Sequence, residues 1–260
     1  MINNIFDSHA HYDDEKFNED RDELLSELPE KGVKAVLNCA VDFNTADFAY
    51  KLSQKYPYIY CAAGIHPQEV NEETKINRED FEDVLEKMLK RDKCLAIGEI
   101  GLDYYYDTTF AQKQKDVLER QVRLAKDLDL PVIIHDREAH EDTLNILKKY
   151  KPKGVVHCFS GSVEMAQEVV KLGMYIGLGG AVTFKNAKKP VAVAAEVAQD
   201  RILLETDCPY MTPVPFRGKR NSSDLIAYTA QVIADIRHID VQKFVDITNH
   251  NAQEMFNIKL

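Results

Sequence analysis

The chain has little glycine and proline, 11 and 9 residues in 260, and neither a long Gly/Ser/Pro linker nor a sequence repeat. Fibrous and disordered classes are thereby excluded. No apolar run approaches the roughly 18 residues of a membrane span. The N-terminus, MINNIFDSHAHYDDEKFNEDR, lacks the basic region and apolar core of a secretory leader, so we expect a soluble cytoplasmic protein. Positive charge is in deficit: 33 Lys and Arg against 43 Asp and Glu give a formal charge of -10. This excludes a protein that coats nucleic acid by blanket phosphate neutralisation, and chemistry on nucleic acid would have to rest on local positive charge or on metal. Five scattered cysteines (Cys39, Cys61, Cys94, Cys158, Cys208) form no C-x-x-C pair, which argues against a disulfide framework and a structural zinc knuckle. No G-x-G-x-x-G or Walker lysine motif follows the first apolar run, so a dinucleotide or P-loop site finds no support.

What is present is a core-forming composition, 45% apolar, arranged as short β-branched runs between longer stretches of helical periodicity. Eight runs read as strands: Asn4–Ser8, Val33–Cys39, Ile59–Ala63, Leu95–Glu99, Val132–His135, Gly154–His157, Tyr175–Leu178 and Ile202–Thr206. Segments such as FEDVLEKMLKR, FAQKQKDVLERQVRLAKDL and AHEDTLNILKKY carry apolar residues at helical spacing. The pattern predicts an α/β fold, a (β/α)8 TIM barrel in one domain spanning residues 1–260, in preference to an open doubly wound sheet.

In such a barrel the C-terminal strand ends converge on one mouth. His9 and His11 lie two apart after the first run, on one face by period-two geometry. Glu99, His135, His157 and Asp207 end four other runs. Singly, His9 and His11 read as paired surface or capping histidines, His135 and His157 as hydrogen-bonded core residues, and Glu99 as a cap. Together, four histidines and two carboxylates form a mixed N/O set suited to two divalent cations, Mg2+, Mn2+ or Zn2+. A sensible allotment gives one ion His9, His11 and Asp207, the other His135 and His157, with Glu99 bridging. Two ions roughly 3.5–4 Å apart activate water and stabilise a leaving oxygen, so the chemistry is hydrolysis, with Asp207 placed to act as general base. Glu205 falls on the same face one layer deeper, there to orient a ligand histidine or to form a buried salt bridge. His66 is expected to touch substrate, whereas His140, His238 and His250 read as ordinary surface or packing residues. The thiols of Cys158 and Cys208 should point away from the site by strand alternation. The proline-rich stretch CPYMTPVPFRGKRNSS is expected to wall the mouth and to offer Arg217, Lys219 and Arg220 to substrate. Tyr104, Tyr105 and Tyr106 offer faces for base stacking or for packing.

With these residues assembled, the motifs FDSHAHYDD, AAGIHPQEV, AIGEIGLDYYYD, PVIIHDREA, VHCFSG and LLETDCPYMTPVPFRGKRN resemble, in order and nearly end to end, the TatD family of metal-dependent hydrolases. The resemblance implies a metallo-dependent TIM barrel with deoxyribonuclease activity. By position it puts metal ligands at His9, His11, Glu99, His135, His157 and Asp207, and substrate phosphate contact at His66 and around Arg217. One departure is visible: after RGKRN the family commonly has a proline within two residues, and here Ser222 and Ser223 follow. The expected substrate is a DNA strand end, bound weakly and with metal, gripped by the forked guanidinium groups of Arg217 and Arg220 and cleaved exonucleolytically. Nothing in the sequence points to an obligate protein partner. The alternatives are a binuclear amidohydrolase or esterase acting on a small molecule or aminoacyl ester, and a non-catalytic binding barrel, which would be expected to have lost a ligand.

Overall fold

The computed structural model describes residues 2–72 and 81–260. Eight parallel strands stand in the sheet in chain order: β1 (Ile5–Ala10), β2 (Val33–Cys39), β3 (Ile59–Ala63), β4 (Cys94–Asp103), β5 (Val132–Arg137), β6 (Gly154–Val156), β7 (Tyr175–Leu178) and β8 (Ile202–Leu204). Between and after them run α1 (Arg21–Glu27), α2 (Phe43–Lys55), α3 (Phe81–Leu89), α4 (Ala111–Asp127), α5 (His140–Tyr150), α6 (Val163–Lys171), α7 (Lys188–Glu196), α8 (Ile226–Arg237) and α9 (Val241–Phe256). Several helices start where a side chain accepts from an otherwise unpaired amide: Asp42 and Thr45 form a capping box on α2, and Ser162 and Asp240 cap α6 and α9. The ring nearly closes through a parallel bridge between Ala10 and Cys208, where the His11 amide donates to the Cys208 carbonyl at 2.8 Å. The chain is therefore the α/β barrel that its spacing predicts. No helix among the described residues is long and apolar enough to cross a membrane.

Alternate strand residues sort into two cores. Ile5, Val36, Ile97, Val132, Ile134 and Ile202 pack with the helices, whereas Phe6, Leu37, Ala96, Ile133, Val155 and Leu203 form a second cluster. Met255 and Phe256 of α9 join the second cluster, and Phe256 stacks on Phe6 with ring centroids 5.7 Å apart. The second set is the barrel interior, filled by side chains rather than open.

Two strands change face on their way to the mouth. In β1, Asp7 pairs with Val36 and Ala10 with Asn38, so β1 spends three steps where β2 spends two. In β4, Ile97 pairs with Val132 and Ile100 with Ile134, the same one-residue excess. An extra residue inverts which parity faces inward. Ile5 and Ala10 both pack outward, as do Ile97 and Ile100, so His9 and His11 above the first shift, and Glu99 and Asp103 at and above the second, turn into the barrel. β4 accordingly runs four residues past the expected end at Glu99, to Asp103, whereas β6 and β8 stop short of His157 and Thr206.

Outside the seam between β1 and β8, the buried Asp7 carboxylate accepts from the Thr206 amide (3.0 Å), the Thr206 hydroxyl (2.6 Å) and the Ser223 hydroxyl (2.7 Å). Ser223 also meets the Tyr12 hydroxyl at 2.7 Å. Ser223 thus ties the end of the proline-rich loop to β1.

Gly101, between the two inward carboxylates of β4, lies opposite His135 in register, and a Cβ there would overlap the His135 carbonyl. Gly101→Ala is expected to destabilise by about 2–4 kcal/mol and to lower the melting temperature by roughly 5–15 °C. Circular dichroism on heating checks this, and a melt within about 2 °C of wild type would contradict the close approach.

Candidate metal centre

One buried carboxylate organises the mouth. Glu99 is 3% exposed and stands among five imidazoles. Its Oε1 lies 2.7 Å from His157 Nε2, 2.8 Å from His135 Nδ1 and 3.4 Å from His66 Nε2. Its Oε2 lies 3.4 Å from His9 Nε2 and 3.5 Å from His11 Nε2. Asp207 closes the second group, with Oδ1 3.4 Å from His11 Nε2 and 3.9 Å from His9 Nε2. The six residues proposed from sequence as ligands are thus brought together, and His66 with them. Groups with metal-ligand spacing are His9, His11 and Glu99; His9, His157 and Asp207; and His66, Glu99 and His135.

The ring nitrogens show how these histidines are oriented. His11 Nδ1 donates to the Cys39 carbonyl at 2.9 Å, which leaves Nε2 with its lone pair pointing inward, 3.0 Å from His9 Nε2. His135 Nε2 donates to Asp103 at 3.1 Å, leaving Nδ1 aimed at Glu99. A histidine tied off on its outer nitrogen and presenting a lone pair inward is arranged as metal-binding histidines are. Two imidazole nitrogens facing each other across 3.0 Å need a proton or a cation between them, so the donor set fits divalent metal. His66 is arranged differently: its Nδ1 accepts from the Gln68 amide at 3.2 Å, so the neutral ring carries its proton on Nε2 and donates inward.

Burial and charge shape the electrostatics. Burial, reinforced by His157 stacked 3.9 Å away, pushes His9 down to about 4. Burial also opposes a charge on His11 and His135, but carboxylates outweigh it: Asp207 and Glu99 raise His11 to about 10, and Asp103 and Glu99 raise His135 to about 9. Burial opposes ionisation of Glu99 too, yet the surrounding imidazoles, His157 foremost, hold it well below the usual carboxylate range. The cluster therefore seeks positive charge, which protons or metal can supply in competition.

Glu205 sits on the inner face below this group, and burial raises it to about 8. It accepts from the Cys158 amide at 2.5 Å, while its 3.9 Å separation from His157 Nδ1 is too long for a hydrogen bond. It holds the backbone after His157 rather than the ring. Cys158 lines the cavity, contrary to the alternation argument. β6 has ended two residues earlier and Cys158 adopts φ 41, so period two no longer applies. Cys208, by contrast, is fully buried away from it.

The cluster opens into a cavity of about 710 Å3, lined by His11, His66, Glu99, His135, His157 and Asp207 and walled by Tyr210 and Met211 of the proline-rich loop. Arg217 and Arg220 are not among its lining residues. Arg220 forms a two-pronged pair with Asp20 (2.7 and 2.6 Å) over the Phe17 ring, and Arg217 lies over Phe184 at 3.8 Å. The partner of Arg220 is 200 positions away in sequence, which spacing cannot reveal. Of the tyrosines, Tyr104 donates to Asp142 at 2.9 Å, whereas Tyr106 lines the cavity. Sequence reasoning missed Asp103. Its signal was present: it lies four residues beyond Glu99, on the same strand face.

The profile of the TatD related DNase family matches residues 6–257. An uncharacterized metal-dependent hydrolase of Bacillus subtilis, YabD, is 40% identical over 98% of this chain and 99% of its own. The crystal structure of YjjV, a TatD homologue from Escherichia coli, superposes with a TM-score of 0.90 at 31% identity, covering 100% of both chains. A TatD family hydrolase from Entamoeba histolytica shares the fold, with a TM-score of 0.83 at 24% identity over 98% of each chain. With its barrel, its carboxylate-centred histidine cluster and these relatives, the chain belongs to the TatD family of metal-dependent hydrolases.

Proposed function

We propose that the protein is a deoxyribonuclease that hydrolyses phosphodiester bonds at a DNA strand end. The observation that carries this reading is the division of donors about Glu99, with His9, His11 and Asp207 on one side and His135 and His157 on the other. Two divalent cations, Mg2+, Mn2+ or Zn2+, would be held by these residues together with Glu99. The family's description as DNases supports the choice of phosphodiester over carboxylic ester. When bound, divalent cations lower the pKa of water and polarise a phosphoryl oxygen.

The protein's own groups do the rest. Asp207 is the more open of the two central carboxylates, with 20% of its side chain exposed against 5% of the Glu99 side chain. It faces the cavity, where it takes the proton of the attacking water as general base. His66, fixed by the Gln68 amide, presents Nε2–H to a phosphoryl oxygen. His11 and His135 stay in register because Cys39 and Asp103 hold their outer nitrogens. As water adds to phosphorus, the bond to the leaving oxygen breaks and the strand shortens.

Three outcomes test this reading. On end-labelled single-stranded DNA with Mg2+ or Mn2+, wild type is expected to give a ladder shortening from one end. Asp207→Asn should lower that rate by at least about 10²-fold; absence of cleavage with every ion, in protein shown by elemental analysis to hold metal, would remove the nuclease reading in favour of carbonyl substrates. Asp103→Ala leaves the donor set intact but removes the acceptor of His135 Nε2, and metal affinity should fall about 10–100-fold by calorimetric titration, an unchanged affinity contradicting the positioning role. Because neighbouring carboxylates outweigh burial and push His11 up to about 10 and His135 up to about 9, Mn2+ or Zn2+ binding near neutral pH is expected to displace protons. Metal affinity therefore rises with pH, by at least about tenfold per unit between about pH 6 and 8. Titrations in buffers of different ionisation enthalpy count the protons released, and zero release would contradict the assignment of these rings as ligands.

A further inference from the structure

With Arg217 and Arg220 placed outside it, the cavity has an electrostatic imbalance. Asp13, Asp14, Glu69 and Asp136 line it together with Glu99 and Asp207, and against them stands a single guanidinium among the described lining residues, Arg137. A polyanion approaching an acid-lined mouth needs local positive charge to offset the repulsion.

Arg137 is built into the barrel rather than loose on the surface. It is the last residue of β5, two positions past His135 and so on the same inner face. Its backbone pairs in register with Asp103, and its carbonyl accepts from the Tyr104 amide at 2.9 Å. The guanidinium carbon lies 3.8 Å from the centre of the Tyr105 ring and 4.8 Å from that of Tyr106, and Nη1 donates to the Tyr106 hydroxyl at 3.3 Å. The two rings meet edge to face at 4.9 Å and remain 57% and 70% exposed. Arg91, Arg120 and Arg220 each pair with a carboxylate, whereas among the described residues none lies within ion-pair distance of Arg137. Most of its five N–H donors are therefore available to a ligand.

We infer that Arg137, Tyr105 and Tyr106 form a nucleotide subsite beside the metal centre, in which the guanidinium holds a phosphate and an exposed tyrosine face stacks the adjoining base. A forked donor suits phosphate oxygens bidentately. Base stacking on an aromatic face is tolerant of sequence and requires an unpaired base. The subsite deepens the nuclease reading, on which its substrate class rests, by assigning a phosphate contact and a base contact to these three residues.

The test uses thymidine 5'-phosphate, a mononucleotide with no diester to cleave, titrated calorimetrically into metal-loaded protein. Arg137→Ala should weaken binding at least about tenfold and Arg137→Lys less, because an ammonium keeps the charge and loses the fork. Tyr106→Ala should weaken it about 5–10-fold, and Arg123→Ala, a surface arginine on α4, should leave it unchanged. On single-stranded DNA, Arg137→Ala should raise KM about tenfold with kcat within about threefold. Wild type that fails to bind the nucleotide, or Arg137→Ala that binds as wild type does, overturns the subsite. Cleavage of DNA with a KM indifferent to Arg137 overturns the subsite and leaves the nuclease reading standing. Arg137-dependent nucleotide binding without DNA cleavage supports the subsite and removes the nuclease reading.

Discussion

A carboxylate 3% exposed, with five imidazoles within 3.5 Å, is the constraint on which the rest of this structure depends. Placing Glu99 there costs several kcal/mol of desolvation, and only positive charge gathered around it can compensate. The fold supplies that charge from four separate segments of chain, which is possible because parallel strands of a barrel all end at one rim. The same crowding of imidazoles would be unfavourable without an acceptor at its centre. Carboxylate and histidines therefore stabilise one another, and together they make a site that favours cations in an otherwise acidic protein.

The rim alone does not aim the side chains. In β1 and β4 a single extra residue reverses the inward parity just before the functional segment. Below the shift the strand packs Phe6 or Ala96 into the barrel interior, and above it the same strand presents His9 and His11 or Glu99 and Asp103. Core packing and chemistry thus use opposite parities of one strand. The hydrogen bonds of His11 to Cys39 and of His135 to Asp103 then fix which nitrogen faces inward. Rings held in this way lose little freedom when a cation arrives.

Much of this was legible in the sequence. Short β-branched runs alternate with helical periodicity throughout, so the barrel and the chain order of its strands could be read directly. The convergence of His9, His11, Glu99, His135, His157 and Asp207 followed from where those runs end. Strand ends were less legible, because a one-residue excess in pairing is a relation between two strands and leaves no mark in either. The alternation argument failed at Cys158 for a related reason: it assumed a strand where β6 had already ended. Arg220 looked free for phosphate because its partner Asp20 lies at the far end of the chain. Asp103 and Arg137 were open to period-two reasoning, each lying an even number of residues beyond a recognised site residue on its own strand.

The proposed function rests on divalent cation being held by the donors on both sides of Glu99, His9 and His11 on one and His135 and His157 on the other. Anomalous diffraction from crystals grown with Mn2+, collected on both sides of the manganese absorption edge, measures this directly. Two peaks roughly 3.5–4 Å apart, one on each side of the Glu99 carboxylate, are predicted. A single peak, or peaks away from Glu99, would contradict it.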